Sequence, residues 1–162
     1  MLLVDADVLI ELARLGYLRP FLKQYDVHIP ATVLDEAEFW EDEDGKHYID
    51  WDDLGDKYTV VTATLEEARH VRGQKHVESG ALAPDAGEFE AIAIYLNRED
   101  TEYQLCVCDA VVPKLLGSLL KTQGLMSLEK ALASIDVDIT RLRKQFTEGR
   151  LQKNIRQGRK MC

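Results

Sequence analysis

The chain has 162 residues, 46% of them apolar and 30% charged, which describes one globular domain with its own core and excludes a disordered polymer. Twenty Lys and Arg against 29 Asp and Glu give a net charge of -9, which argues against a general nucleic-acid coat protein. The charge is uneven: residues 139–162 hold Arg141, Arg143, Lys144, Arg150, Lys153, Arg156, Arg159 and Lys160 against Glu148 alone, so this segment carries +7 and residues 1–138 carry -16.

No run of about 18 apolar residues occurs, so no membrane span is expected. The opening Met1-Leu2-Leu3-Val4-Asp5 lacks a basic region followed by an apolar stretch, so no secretory signal is expected either. Cys106, Cys108 and Cys162 form no CxxC pair, which argues against a disulfide framework or zinc ribbon. Cys106 and Cys108 lie two apart in an apolar run and read as small buried hydrophobes on one strand face. A reducing cytoplasm is the expected setting.

In chain order, Leu2 to Val4 is a short strand that meets Asp5. Leu9, Leu12, Ala13 and Gly16 follow at helical spacing. Val27 to Ile29 is a second strand, and Pro30 opens a helix with the stripe Val33, Leu34 and Ala37. Residues 41–56 are an acidic, glycine-punctuated insertion. Thr59 to Thr62 is a β-branched strand, and Thr64 with Glu67 reads as a capping box. Pro84 and Asp85 start a helix with the stripe Phe89, Ile92, Ala93 and Leu96. Tyr103 to Cys108 is a strand ending at Asp109, and two or three helices follow, with Gly124 and Gly149 as breaks. Alternating strands and helices predict an α/β fold with a mainly parallel sheet covered on both faces. Residues 1–138 form its body, and residues 139–162 a basic helix or tail.

Ligand sites in such sheets lie beyond the carboxyl ends of the strands. That places Asp5, Glu36, Glu88 and Asp109 as candidates for one edge. Gathering them is costly: two unit charges about 5 Å apart repel by roughly 3 kcal/mol at an effective dielectric near 20. Mg²⁺ or Mn²⁺, hard cations with oxygen ligands, would relieve that repulsion. A pair of such ions activates water and stabilises the leaving oxygen of a phosphodiester.

Leu2-Leu3-Val4-Asp5-Ala6-Asp7-Val8-Leu9-Ile10 resembles the first motif of the PIN-domain ribonucleases. Ile29-Pro30-Ala31-Thr32-Val33-Leu34-Asp35-Glu36 resembles their second, Gly87-Glu88-Phe89-Glu90-Ala91-Ile92-Ala93 the third and Cys106-Val107-Cys108-Asp109 the fourth. The resemblance covers about residues 1–122. It implies a three-layer α/β/α sandwich and metal-dependent cleavage of RNA, commonly leaving a 5′-phosphate. Asp5, Glu36, Glu88 and Asp109 would be the catalytic, metal-binding acids, with Asp7 and Asp85 as additional candidates. It also implies a homodimer and, for the toxins among compact members, a small antitoxin-type protein partner. Three features depart from the family pattern. Ala110 stands where a second Asp is usual, Cys108 where a hydroxyl residue is usual, and no last short strand is evident after Gly124.

Each acid also has a structural reading. Asp5 at a strand end suits a helix cap. Glu36 suits a solvated helix surface, with Glu38 its nearest competitor. Asp85 and Glu88 are spaced as a relative of the capping box. Glu90 lies about 200° round the helix from Glu88, so only one of the two faces the site. Asp50, Asp52 and Gly55 partly match a calcium loop, but Leu54 and Val61 stand where oxygen ligands are required. His28, His47, His70 and His76 form no HExxH pattern, and the last two read as solvated. Two alternatives to the ribonuclease remain open. One is a non-catalytic protein- or RNA-binding module on the same fold. The other is a haloacid-dehalogenase-like phosphatase, because Asp5-Ala6-Asp7-Val8 resembles that family's nucleophile motif.

Overall fold

The computed structural model describes every residue from Met1 to Cys162. The chain runs β1 (Leu2–Val4), α1 (Ala6–Leu15), α2 (Leu18–Gln24), β2 (Val27–Pro30), α3 (Ala31–Glu36), β3 (Phe39–Asp42), β4 (Gly45–Tyr48) and α4 (Trp51–Leu54). It continues with β5 (Thr59–Val61), α5 (Leu65–Arg72), α6 (Lys75–Glu78), α7 (Ala86–Asn97), β6 (Gln104–Cys106), α8 (Val111–Ser118), β7 (Leu125–Met126), α9 (Leu128–Ala133) and α10 (Glu148–Arg159). Five strands form one parallel sheet in the order β5-β2-β1-β6-β7. In register, Leu3 faces Leu105, Val4 faces Cys106 and Cys106 faces Met126.

Strand pleating decides the layering, because successive side chains point to opposite faces. Leu2, Val4, Cys106 and Met126 pack with residues of α1, α2 and α9 on one side. Leu3 and Leu105 pack with residues of α7, α8 and α10 on the other. The result is the expected three-layer α/β/α sandwich. No helix is long and apolar enough to cross a membrane.

Several expected boundaries move. The sheet does have a last short strand after Gly124: β7 pairs in parallel with β6. Two residues are too few to display a period-two pattern, so the sequence hides it. Strand β6 ends at Cys106 rather than Cys108. Val107 N–H still bonds Met126 O at 3.3 Å, but Asp109 then accepts Val111 N–H, and the chain leaves the sheet to begin α8. Gly149 is no break, since it lies in the first turn of α10. Residues 41–56 are ordered as the outer part of a β3–β4 hairpin followed by α4. Trp51 Nε1 donates to Ala37 O at 2.8 Å, which ties this insertion back to the end of α3.

The basic segment belongs to the fold. Phe146 joins the core of the first face, while Leu151 and Ile155 join that of the second. Helix α10 lies on α8 at backbone contact: a Cβ on Gly158 would overlap Lys114 O. His76 is only half exposed, and its Nε2 donates to Met161 O at 2.9 Å. Gly158→Ala is expected to force α10 away from α8 and to destabilise the chain by roughly 1–3 kcal/mol. Urea unfolding measures this, and an unchanged midpoint would contradict the close approach.

Candidate functional site

Strand β1 has β2 on one side and β6 on the other, so the crevice beyond their carboxyl ends is the switch point of the sheet. Asp5 follows β1 directly and is 7% exposed. It occupies the N-cap position of α1 yet makes no capping hydrogen bond, so helix capping does not explain its carboxylate. Asp109 lies beyond the end of β6, and one of its oxygens accepts Val111 N–H at the start of α8. Asp85 and Glu88 do form a capping box. Asp85 Oδ1 accepts Glu88 N–H at 2.8 Å, and Glu88 Oε2 accepts Asp85 N–H at 2.9 Å. Glu88 is 6% exposed, and it turns inward as well as capping α7.

Glu36, at the end of α3, reaches across to α7, where Oε1 accepts Gly87 N–H at 3.1 Å. A Cβ on Gly87 would overlap Glu36 Oε2, so this approach requires glycine. Glu38 makes no such contact. Glu90 takes the structural part on α7: its carboxylate accepts Thr32 N–H at 2.8 Å and Ala63 N–H at 3.0 Å, clipping α3 and the end of β5 together.

Electrostatics show which of these groups meet. Asp5 is pushed up to about 7, first by burial and then by the carboxylates of Asp7, Asp85 and Asp109. Glu88 is pushed up to about 9, chiefly by burial and further by Asp109, against the lowering effect of the Asp85 N–H. Burial also raises Asp7, which feels Asp109 and Asp85. Burial again comes first for Glu36, followed by Asp85. The four acids proposed from sequence and the two additional candidates therefore share one electrostatic neighbourhood. The N-termini of α1, α7 and α8 open onto it and partly offset its charge.

The donor chemistry fits a hard divalent cation. The cluster offers carboxylate oxygens, and the one sulfur, Cys108 Sγ, lies 3.9 Å from Asp5 Oδ2 and 3.8 Å from Asp7 Oδ2. Burial and these carboxylates push the Cys108 thiol far up, so it stays protonated and a weak ligand. Asp5, Glu36, Glu88 and Asp109 are the residues that could hold the cation, although no three His, Cys, Asp or Glu side chains stand together at metal-holding spacing.

Spacing gave no sign of the contacts made by Gly87, Cys108 and Arg143. Glu11, 1% exposed on α1, pairs with Arg14 at 2.6 Å and with Arg143 at 3.7 Å. Its Oε1 also accepts Arg143 N–H at 3.3 Å. This brings Arg143 close enough to Asp7 to oppose the upward shift there. A glycine two positions into a helix and an acid inside an apolar helical stripe are the only signals that could have pointed to this arrangement. Comparison with protein-family models, curated proteins and solved structures finds no match for this chain.

The raised carboxyls set the sign of the pH dependence. With Asp5 near 7 and Glu88 near 9, the folded chain binds more protons than the unfolded chain above the ordinary carboxylate range. Stability is therefore lost as pH rises through those values. In chelator, thermal midpoints should fall from about pH 5 to about pH 9, and Mn²⁺ should restore them at the alkaline end. Asp5→Asn should raise the alkaline metal-free midpoint by roughly 2–4 °C, the effect of about 1 kcal/mol in a chain of this size. It should also abolish the Mn²⁺ response. A midpoint indifferent to pH and to Mn²⁺ would contradict the electrostatic account. Gly87→Ala should displace the flexible Glu36 side chain rather than the backbone. Calorimetry should show weaker Mn²⁺ binding with the thermal midpoint nearly kept.

Proposed function

We propose that this chain is a metal-dependent ribonuclease that hydrolyses RNA phosphodiester bonds at the acid cluster. One observation carries the proposal. Asp5, Asp7, Glu36, Asp85, Glu88 and Asp109 come from four separate segments and gather at the switch point of a parallel sheet, where burial first, and neighbouring carboxylates second, raise the proton affinity of Asp5, Asp7, Glu36 and Glu88. Chains do not tolerate such repulsion without a cation or protons to relieve it. The four motifs resembling the PIN-domain ribonucleases place the same acids in the same order.

Asp5, Glu36, Glu88 and Asp109 would hold Mg²⁺ or Mn²⁺, with Asp7 and Asp85 at the rim. Bound there, the cation supplies neutralisation of the phosphate charge and a more acidic bound water. The chain supplies the rest. The sheet fixes Asp5 beyond β1, and Asp109 is held by the turn into α8. Buried Asp5 and Glu88 retain protons near neutrality, so cation binding displaces protons and strengthens as pH rises. The N-termini of α1, α7 and α8 favour an anionic phosphate beside the acids.

A non-catalytic binding module is the second reading, and one observation favours it: the acids do not stand at metal-holding spacing. The phosphatase reading loses support because α1 begins at Ala6, leaving no loop and hairpin after the Asp5 motif.

Asp5→Asn and Asp109→Asn should each reduce Mn²⁺-dependent cleavage of single-stranded RNA by roughly a hundredfold or more, with unchanged circular dichroism. Undiminished cleavage by both variants would sink the mechanism. Saturable Mn²⁺ binding lost in Asp5→Asn, with no cleavage by the unmodified chain, would favour the binding module.

A further inference from the structure

Helix α10 has two chemically opposed faces. Leu151, Asn154, Ile155 and Gly158 recur at three- and four-residue spacing and are buried. Arg150, Lys153, Arg156, Arg159 and Lys160 lie on the exposed remainder. None of these five cations takes part in an ion pair, whereas Arg14, Arg19, Arg98, Lys121 and Arg143 do. Arg159 donates to Thr122 Oγ1 at 3.2 Å. The one acid of the segment, Glu148, pairs with none of them: its Oε2 accepts Ser127 Oγ at 2.7 Å and its Oε1 accepts Gln152 Nε2 at 2.8 Å.

The row is rigid and placed. The close approach of Gly158 to Lys114 fixes α10 on α8. Ser127 follows β7, which runs parallel to β6, so α10 begins on the same edge of the sheet as Asp109. Arg143 precedes α10 and pairs with Glu11 of α1 at 3.7 Å, on the other face of the sheet. Cations three or four residues apart on one helix face are spaced by about 4.5–6 Å along its axis. Lys153, Arg156 and Lys160 share the solvent face, with Arg150 and Arg159 on its two flanks, and such a patch of unpaired cations on a chain otherwise strongly acidic matches a polyanion. It is exposed and charged, so it does not suit an apolar partner.

We infer that the solvent face of α10 binds the sugar–phosphate backbone of single-stranded RNA and leads the strand to the edge of the sheet that holds the acid cluster. The identity of the ligand rests on the ribonuclease proposal, while the binding itself is electrostatic and independent of cleavage.

The test is fluorescence anisotropy of a labelled single-stranded RNA with the full chain in chelator, over a range of salt. The unmodified chain should bind the RNA without metal. Combined Lys153→Gln, Arg156→Gln and Lys160→Gln should weaken binding at least tenfold. The slope of log affinity against log salt should flatten by about 2, close to 0.7 for each phosphate that the variant no longer neutralises. Circular dichroism guards against misfolding, and Lys153→Glu alone should weaken binding in the same direction. Unchanged affinity and slope in the triple variant would overturn the inference, as would an unmodified chain that binds no RNA without metal. A dimer dispersed by the triple variant in sizing experiments, with RNA affinity unaltered, would assign the face to a second copy and overturn it too. The two proposals fail separately. Cleavage that survives Asp5→Asn and Asp109→Asn removes the metal site but leaves this binding measurement standing. Metal-dependent cleavage with normal binding by the triple variant removes only the α10 surface.

Discussion

The repulsion among Asp5, Asp7, Asp85 and Asp109 acts at a place where Asp5 itself is almost sealed from water. Low local dielectric makes that repulsion strong, and nothing in the body of the sheet screens it. The arrangement around it consists of partial remedies. Three helices begin at the crevice, so their N-terminal partial charges face the acids. Glu88 and Asp109 each place an oxygen on a backbone N–H. Glu36 is held at the edge by the Gly87 N–H. None of these supplies a full positive charge, and burial first, with the neighbouring carboxylates adding to it, makes Asp5 and Glu88 hold their protons far above the usual carboxylate range.

The one full cation that approaches comes from far along the chain. Glu11 sits in the apolar stripe of α1, where an unpaired charge would be costly. Its carboxylate is paired by Arg14 and by Arg143, and Arg14 also donates to Arg141 O at 2.8 Å. Removing one partner of such a pair leaves a buried charge exposed to its full desolvation penalty. Glu11 therefore acts as the clasp that holds the 139–146 segment against α1. The same clasp holds Arg143 where its charge slightly opposes the upward shift of Asp7, which burial and the neighbouring carboxylates dominate.

Much of this was legible in the sequence, for identifiable reasons. A strand that meets Asp5, a helix opened by Asp85, and the Thr64–Glu67 box all follow local rules, and the structure reproduces each, while the strand expected to reach Asp109 stops at Cys106. Convergence of the acids follows from topology, since strands of a parallel sheet end on one edge. The hidden parts depend on contacts between distant residues or on very short elements. Strand β7 has two residues and exists through its pairing with β6. The roles of Gly87 and Gly158 are set by what a Cβ would strike, Glu36 in one case and the Lys114 carbonyl in the other. Glu90 and Glu88 are neighbours on one helix, yet one clips backbone N–H groups and the other enters the cluster. Spacing alone establishes that they face apart, and burial with hydrogen bonding decides which does which.

The opposed charges of body and tail raise a further physical question, since a +7 segment beside a -16 body could collapse onto the acids and neutralise them. The fold prevents this. Backbone contact between α10 and α8 leaves no freedom for the helix to slide, and Leu151 and Ile155 anchor it in the core of the second face. The side chains that could fold back are directed outward by the same periodicity that buries those two residues. Charge segregation is thus maintained by packing rather than by electrostatics, which favours the opposite outcome. A net charge of -9 averages two surfaces with contrary preferences: one that attracts cations and one that attracts anions. Salt weakens both attractions between exposed groups, but it acts least on the buried floor formed by Asp5 and Glu88.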